Sequence, residues 1–385
     1  MANAPAAASA SAIPFTRGAT LATMRDATLG ALAAGTQTQI QLQTNAFLES
    51  IIFDVTLTTA ANAAAVTFAA DSPWQVIQQI KLDDPAGQSI IAPITGYQLY
   101  LLNKYLPDVE CYNDPKSDPQ FLLTGGAVGT GGSFNFRLVL PIEHRRRDAL
   151  GALNNSAANQ RYLITLNVIP VFATLYGVAP TTPAPSLAIQ VYQQYWTSPP
   201  PVITTAQGST QVDATPAGLG TVGFVRFERH NEVTGGGQPT LQLNNVGDYV
   251  STIIFVLRDT AGARDINAGP QSATNANWPT EFDFWINDFQ VHALSQTQWI
   301  RGQSRFYRYP NAVETAEGMD NGVYVLFQLM QLFDQACNFE PAGQYLPTDA
   351  TTKLQVRGST WGSGALNLEV LTRIIRPVSG ATLFA

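Results

Sequence analysis

The sequence predicts an all-β protein of two tandem eight-stranded jelly rolls, with a few short helices and an N-terminal arm. Three observations carry that prediction. Strand-like runs dominate beyond residue 35, a proline-rich joint falls near the middle, and the runs on either side of it repeat in the same order. The chain has 385 residues, room for two or three domains at about 150 residues each. Its 45% hydrophobic content supplies sizeable cores.

Residues 1–35 are assigned to the arm. Ala2 to Ala12 is an Ala/Ser-rich stretch with little to bury. From Ala19 to Ala34 helix formers dominate, and Leu21, Met24, Leu29 and Leu32 form a partial apolar stripe, which predicts a short amphipathic helix. Arg17 and Arg25 are the only Lys or Arg residues of the arm. Together with Met24 they are the residues assigned to contact with a neighbouring subunit or a membrane surface. Packing of the arm on its own chain is the alternative.

Residues 36–196 form the first predicted roll. The runs TQIQL (from Thr38), SIIFDVTLT (Ser50), FNFRLVL (Phe134), RYLITLNVI (Arg161) and LAIQVYQQYW (Leu187) are rich in Val, Ile, Thr, Tyr and Phe. DDPAG at Asp83 and TGGAVGTGG at Thr124 punctuate them. Residues 197–220 are the linker, stiffened by Pro199, Pro200 and Pro201, and 221–385 are the second roll. Ile51-Ile52-Phe53 matches Ile253-Ile254-Phe255, and FNFRL at Phe134 matches VLFQL at Val325. Leu163 matches Leu354, and LAIQVYQQY at Leu187 matches LNLEVLTRI at Leu366. About eight strands per half, some joined by long connections, fit a jelly roll better than an up-and-down barrel.

Charged residues are only 13% of the chain, about half the usual 25%. Interface cores are depleted in charge, so the composition points to surfaces that meet other copies. The net charge of −7 argues against a general nucleic-acid binder, which needs clustered cations. Of the 21 cations, arginines far outnumber the four lysines. That suits protein interfaces, although codon usage in a GC-rich genome explains it equally well. Cys111 and Cys337 have no metal or redox spacing and read as free thiols of a protein made in a reducing cytoplasm. No secretion signal or transmembrane helix is expected. The most apolar stretch, Tyr162 to Ala179, is broken by Pro170 and reads as two strands joined at a bend.

No catalytic, cofactor or metal residues are assigned. His144, His230 and His292 have no zinc-site spacing. The Gly125–Gly132 run lacks the Lys-Ser/Thr of a phosphate loop, and Gly358-Ser359-Thr360-Trp361-Gly362 is not a nucleophile elbow. Asp83-Asp84 and Asp114 with Asp118 flank prolines and read as turn formers, with a surface calcium as the alternative for the last two. Arg145, Arg146 and Arg147, read as part of a helix with Ile142, Leu150 and Leu153 inward, are candidate subunit-interface residues. So are Arg301 and Arg305, read as sharing one face of a strand.

Some segments also resemble a known family. NFRLVLPIEHRRRDALGALNN (Asn135 to Asn155) followed by RYLITLNV is similar to the strand-then-helix passage in the first roll of tectivirus-type double jelly-roll major capsid proteins. VYQQYW before a Pro-rich joint, DYVSTIIFV from Asp248, and Trp299 to Leu329 resemble further stretches of that family. The Ala-rich N-terminus and the Gly-rich loops do not match it. The resemblance implies homotrimeric, pseudo-hexagonal capsomers of an icosahedral bacteriophage shell, around an internal lipid membrane that encloses double-stranded DNA. It implies partners too: neighbouring capsomers, vertex proteins and that membrane, without direct nucleic-acid contact, after assembly in the host cytoplasm. The alternative from the residues is a carbohydrate-binding or carbohydrate-active double sandwich, with Trp278, Trp285, Trp299 and Trp361 as the sugar platform.

Overall fold

The computed structural model describes residues 12–59, 65–106, 114–125, 131–144, 148–180, 185–206, 208–216, 218–233, 240–244, 248–259, 262, 264, 281–326, 346–349, 351–359 and 366–376. Eight main strands and a helix build the first roll: β1 Leu21–Leu32, β2 Gln37–Gln41, β3 Phe47–Thr58, β4 Ile77–Asp83, β5 Ser89–Ile94, α1 Gly96–Tyr105, β6 Phe134–Pro141, β7 Leu163–Val168 and β8 Ser186–Trp196. They form two facing sheets, in the orders β1-β8-β3-β6 and β2-β7-β4-β5. The alternation seen in the sequence sets the faces. Val55 and Leu57 of β3 point to the core while Thr56 and Thr58 face outward, and the preceding Ile51-Ile52-Phe53 run is buried throughout.

The second roll repeats this plan with β9 Val222–Val233, β10 Thr240–Gln242, β11 Asp248–Arg258, β12 Glu281–Ile286, β13 Phe289–Ser295, α2 Gln296–Tyr307, β14 Val323–Val325, β15 Leu346–Thr348, β16 Leu354–Ser359 and β17 Leu366–Arg376. Its sheets run β9-β17-β11-β14, with β15 beside β11, and β10-β16-β12-β13. The ladders fix the correspondence between the rolls. Val191 of β8 pairs with Ala27 and Phe53, as Val370 of β17 pairs with Glu228 and Phe255. The repeat is therefore real, and the residues skipped in the two ladders, Glu49 beside Gln194 and Ser251 beside Arg373, put the sequence matches at Ile51 and at Leu187 in step.

The rolls are joined by more than the linker. β5 pairs in parallel with β9, through Ile91 and Val225, so one sheet runs from the first roll into the second. One connected hydrophobic cluster extends from Ile40 to Ile374. This explains why β11 is buried from Val250 to Arg258 without alternation, because both of its faces are covered. The linker itself folds as a hairpin, Val202–Thr205 against Gly208–Gln211.

Residues 19–34 are not the predicted amphipathic helix. Only Phe15–Gly18 makes a helical turn, and Leu21–Leu32 forms β1, antiparallel to β8. Leu29, Leu32 and Ala27 reach the core from a strand because register shifts after Arg25 and Leu29 change its parity. The ladder offered by β8 outweighs the helix propensity of Ala, Leu and Met, a weak prior against tertiary pairing. This stretch thus packs on its own chain. Ile13 bridges Val212, and the Phe15 ring lies 5.2 Å from that of Phe47.

Candidate assembly interface

The joint between the rolls is the most elaborate polar site among the described residues. At its centre α1 is buried on every side, as a helix must be when packed between two bodies. Thr95 caps it, accepting from the Gln98 backbone N–H, while the Gln98 side chain accepts from Thr95 N–H. Glycine is required at position 96, where a Cβ would come 2.1 Å from the Trp74 carbonyl oxygen.

Near the C-terminal end of α1, Lys104 is fully buried and makes ion pairs with Asp320 of the second roll at 2.8 Å and Asp114 of the first at 3.2 Å. The rings of Tyr100, Tyr105 and Tyr309 surround its ammonium, with centroids 5.5, 5.6 and 5.4 Å away. Tyr105 donates to Asp320 at 2.9 Å, and Tyr100 does so at 3.2 Å. Burial would raise the Asp320 carboxyl, but Lys104, Lys116 and Arg264 outweigh it and hold the group well below the usual carboxylate range. Burial, then the Asp320 charge, pushes the Tyr100 and Tyr105 phenols well above their ordinary value, so both remain donors.

A second ionic cluster crosses the joint nearby. Arg258 bridges Asp71 of the first roll, at 2.6 Å, and Glu369. Arg264 reaches Asp71 at 2.9 Å and Glu314. At the opposite end Arg373 donates to the Glu143 carbonyl at 2.7 Å, and Trp196 Nε1 donates to the Glu143 carboxylate at 2.6 Å. His144 is wedged there against Gly223, where an added Cβ would lie 2.0 Å from Nε2. Burial, reinforced by the Arg373 charge, lowers its pKa well below the ordinary value, so the imidazole is neutral.

The predicted site residues fall into three groups. Arg17 and Arg25 are exposed and Met24 is half-buried, the last two on β1 at the outer edge of its sheet. Arg301 and Arg305 are exposed on α2, which is a helix and not the predicted strand; the helix still puts them on one face, one turn apart. Arg145, Arg146 and Arg147 lie outside the described residues, as do Cys111 and Cys337. Around those arginines the described residues form turns and a short strand, although Ile142, Leu150 and Leu153 are buried as expected.

Asp84 accepts from the N–H groups of Ala86 and Gln88, and Asp118 from that of Gln120, as turn formers do. Asp114 caps a 3-10 turn and also enters the buried cluster, a role the sequence reading missed. Among the described residues no group of three or more His, Cys, Asp or Glu side chains could hold a metal ion. No described helix is long and apolar enough to cross a membrane. Of the four tryptophans in the sugar reading, Trp299 is buried in the core and Trp285 lies under the Arg357 guanidinium. Trp278 and Trp361 fall outside the described residues.

No protein-family model matches the chain, and no curated protein matches it in sequence. Solved structures do match it along nearly its whole length. The crystal structure of the STIV MCP, from the Sulfolobus turreted icosahedral virus, is 14% identical with a TM-score of 0.59, covering 92% of this chain and 97% of that one. The fold is a double jelly roll. The double jelly roll is also matched by the PBCV-1 virus capsid (11% identity, TM-score 0.55, 94% and 95% coverage). The major capsid protein P2 from bacteriophage PM2 follows, at 10% identity and a TM-score of 0.50, with 94% and 99% coverage.

Proposed function

We propose that this double jelly roll is a viral major capsid protein whose work is geometric and involves no reaction. The observation that carries this reading is the full-length match. Both rolls and the joint between them have counterparts in capsid structures, over at least 92% of this chain and 95% of each of theirs. The fold alone would not decide function, but the low charge content agrees with a surface made to meet other copies.

In the finer form of the proposal, three copies form a pseudo-hexagonal capsomer. Two rolls of one plan per chain supply six similar sectors per trimer. Capsomers tile an icosahedral shell of a bacteriophage around an internal membrane and double-stranded DNA, meeting neighbouring capsomers and vertex proteins, after assembly in the host cytoplasm. The segment resemblance and the bacteriophage capsid protein among the structural neighbours support this reading. The acidic balance fits a shell that does not touch the genome. Light scattering behind a sizing column tests it. A species at three times the 41.5 kDa chain mass, persisting in high salt, is expected. A monomer at micromolar concentration would overturn the trimer.

A further inference from the structure

We propose that the buried ion pair between the rolls is the precursor of a covalent bond, an amide between Lys104 Nζ and the Asp320 side chain, with Asp114 as the proton relay. The bond joins the two rolls of one chain and is independent of the capsid reading.

The groups that such a bond needs are together and dry. The side chains of Lys104, Asp114 and Asp320 are at most 1% exposed. Nζ lies 2.8 Å from Asp320 Oδ2, which sets the carboxyl carbon one bond further on. Both residues are pinned through their backbones. Tyr309 donates to the Lys104 carbonyl at 2.8 Å, and the Asp320 N–H donates to the Tyr105 oxygen at 3.2 Å. Well-oriented pairs of this kind react as if the partner were present at about 10⁵ M or more.

The two carboxylates are set up differently. Asp114, 3.2 Å from Nζ, accepts from the N–H groups of Lys116 at 2.9 Å and Glu317 at 3.0 Å, so it is held in place as a base. Asp320 instead takes the phenol of Tyr105 on Oδ2 and that of Tyr100 on Oδ1, with Lys116 Nζ 3.7 Å from Oδ1. These groups face the oxygens on which negative charge grows when Nζ adds to the carboxyl carbon. In the reaction Asp114 takes a proton from the ammonium, and the freed lone pair forms the N–C bond. One C–O bond of Asp320 then breaks and its oxygen leaves as water. Of the three ammonium protons one stays on the amide nitrogen and two leave with the oxygen by way of Asp114, so atoms and charge balance without a co-reactant. The Lys104 charge that holds Asp320 ionised is consumed in the same step. Two buried charges carry a desolvation cost that a neutral amide lacks, and the Tyr100, Tyr105 and Tyr309 rings keep hydrolytic water away. The newly folded chain holds the ion pair, and the amide accumulates afterwards.

Intact-mass spectrometry of the purified full chain, after overnight storage at room temperature, tests the bond. The expected mass is that of the sequence less one water. After proteolysis the peptides containing Lys104 and Asp320 are expected as one branched species. Lys104→Met and Asp114→Asn should each stay at their full sequence mass. Asp320→Asn, which offers an amide leaving group at the same place, should lose one ammonia instead of one water. A wild-type chain at its full sequence mass would overturn the proposal, and that reading needs no variant to fold. So would a lost water confined to a single linear peptide, or a branch that ends at Asp114.

Discussion

The two helices that follow the equivalent edge strands share a cap and a place in the fold, but not a surface chemistry. Helix α1 is apolar or aromatic over most of its length, and its one lysine is buried against two aspartates. Helix α2 buries Trp299 and Gln303 on one side and exposes Arg301 and Arg305 on the other. The difference follows from when each face is covered. Partners of α1 arrive with the same chain, so its face could become as dry as a core. The Arg301 and Arg305 face of α2 lies in solvent in the single chain, where charged side chains are the common choice.

The largest effect should come from breaking the dry side of this comparison. Asp320→Ala strips Lys104 of its closest anion and leaves a buried charge, which is expected to cost about 3–5 kcal/mol in denaturant melts of the full chain. Next is Gly223→Ala. Its Cβ would collide with His144, and overpacking of this kind costs about 1–3 kcal/mol. The β1 counterpart of Gly223 is Leu21, paired with Trp196 as Gly223 is with Ile375, so a full side chain is accommodated at the outer edge where His144 leaves no room for a methyl group. A Gly223→Ala protein as stable as wild type would contradict the wedge.

Acid should weaken the joint before it affects the rest. The folded-state pKa of His144 is depressed, so the unfolded chain binds its proton first. Its contribution is complete above about pH 6.5 and is lost as pH falls, approaching about 1.4 kcal/mol per pH unit. Asp320, also depressed, adds its own loss only below about pH 4. Thermal melts between pH 7 and 5 should show the decline, and His144→Leu should flatten it. The smallest effect is expected on the wet side. Arg301→Ala and Arg305→Ala should each change stability by less than about 0.5 kcal/mol, read in denaturant melts of the full chain.

The duplicated plan was legible because strand patterning is local and repeats in order, and the proline cluster marked the joint. Two elements were misread for opposite reasons. β1 consists of helix formers, and only the distant β8, which no local window contains, makes it a strand. α2 carries the aromatic and arginine residues of a strand, yet Ser295 and Gln298 formed a capping box that was available as a signal. The buried cluster was invisible because Lys104, Asp114 and Asp320 converge only after the two rolls dock. Arg25 and Met24 were singled out as residues of a helix, and they lie on an edge strand instead, Arg25 exposed and Met24 half-buried.

The sheet shared by the two rolls also constrains how the protein can be made. A nascent chain that has emerged only through its linker would carry a first roll with Ile90 and Ile91 on an open edge and α1 half-dressed. That intermediate is sticky by construction. Synthesis of β9, the first strand after the linker, begins to close it, so the interval between residues 196 and 233 is when a growing chain is most easily captured by another on the same polysome.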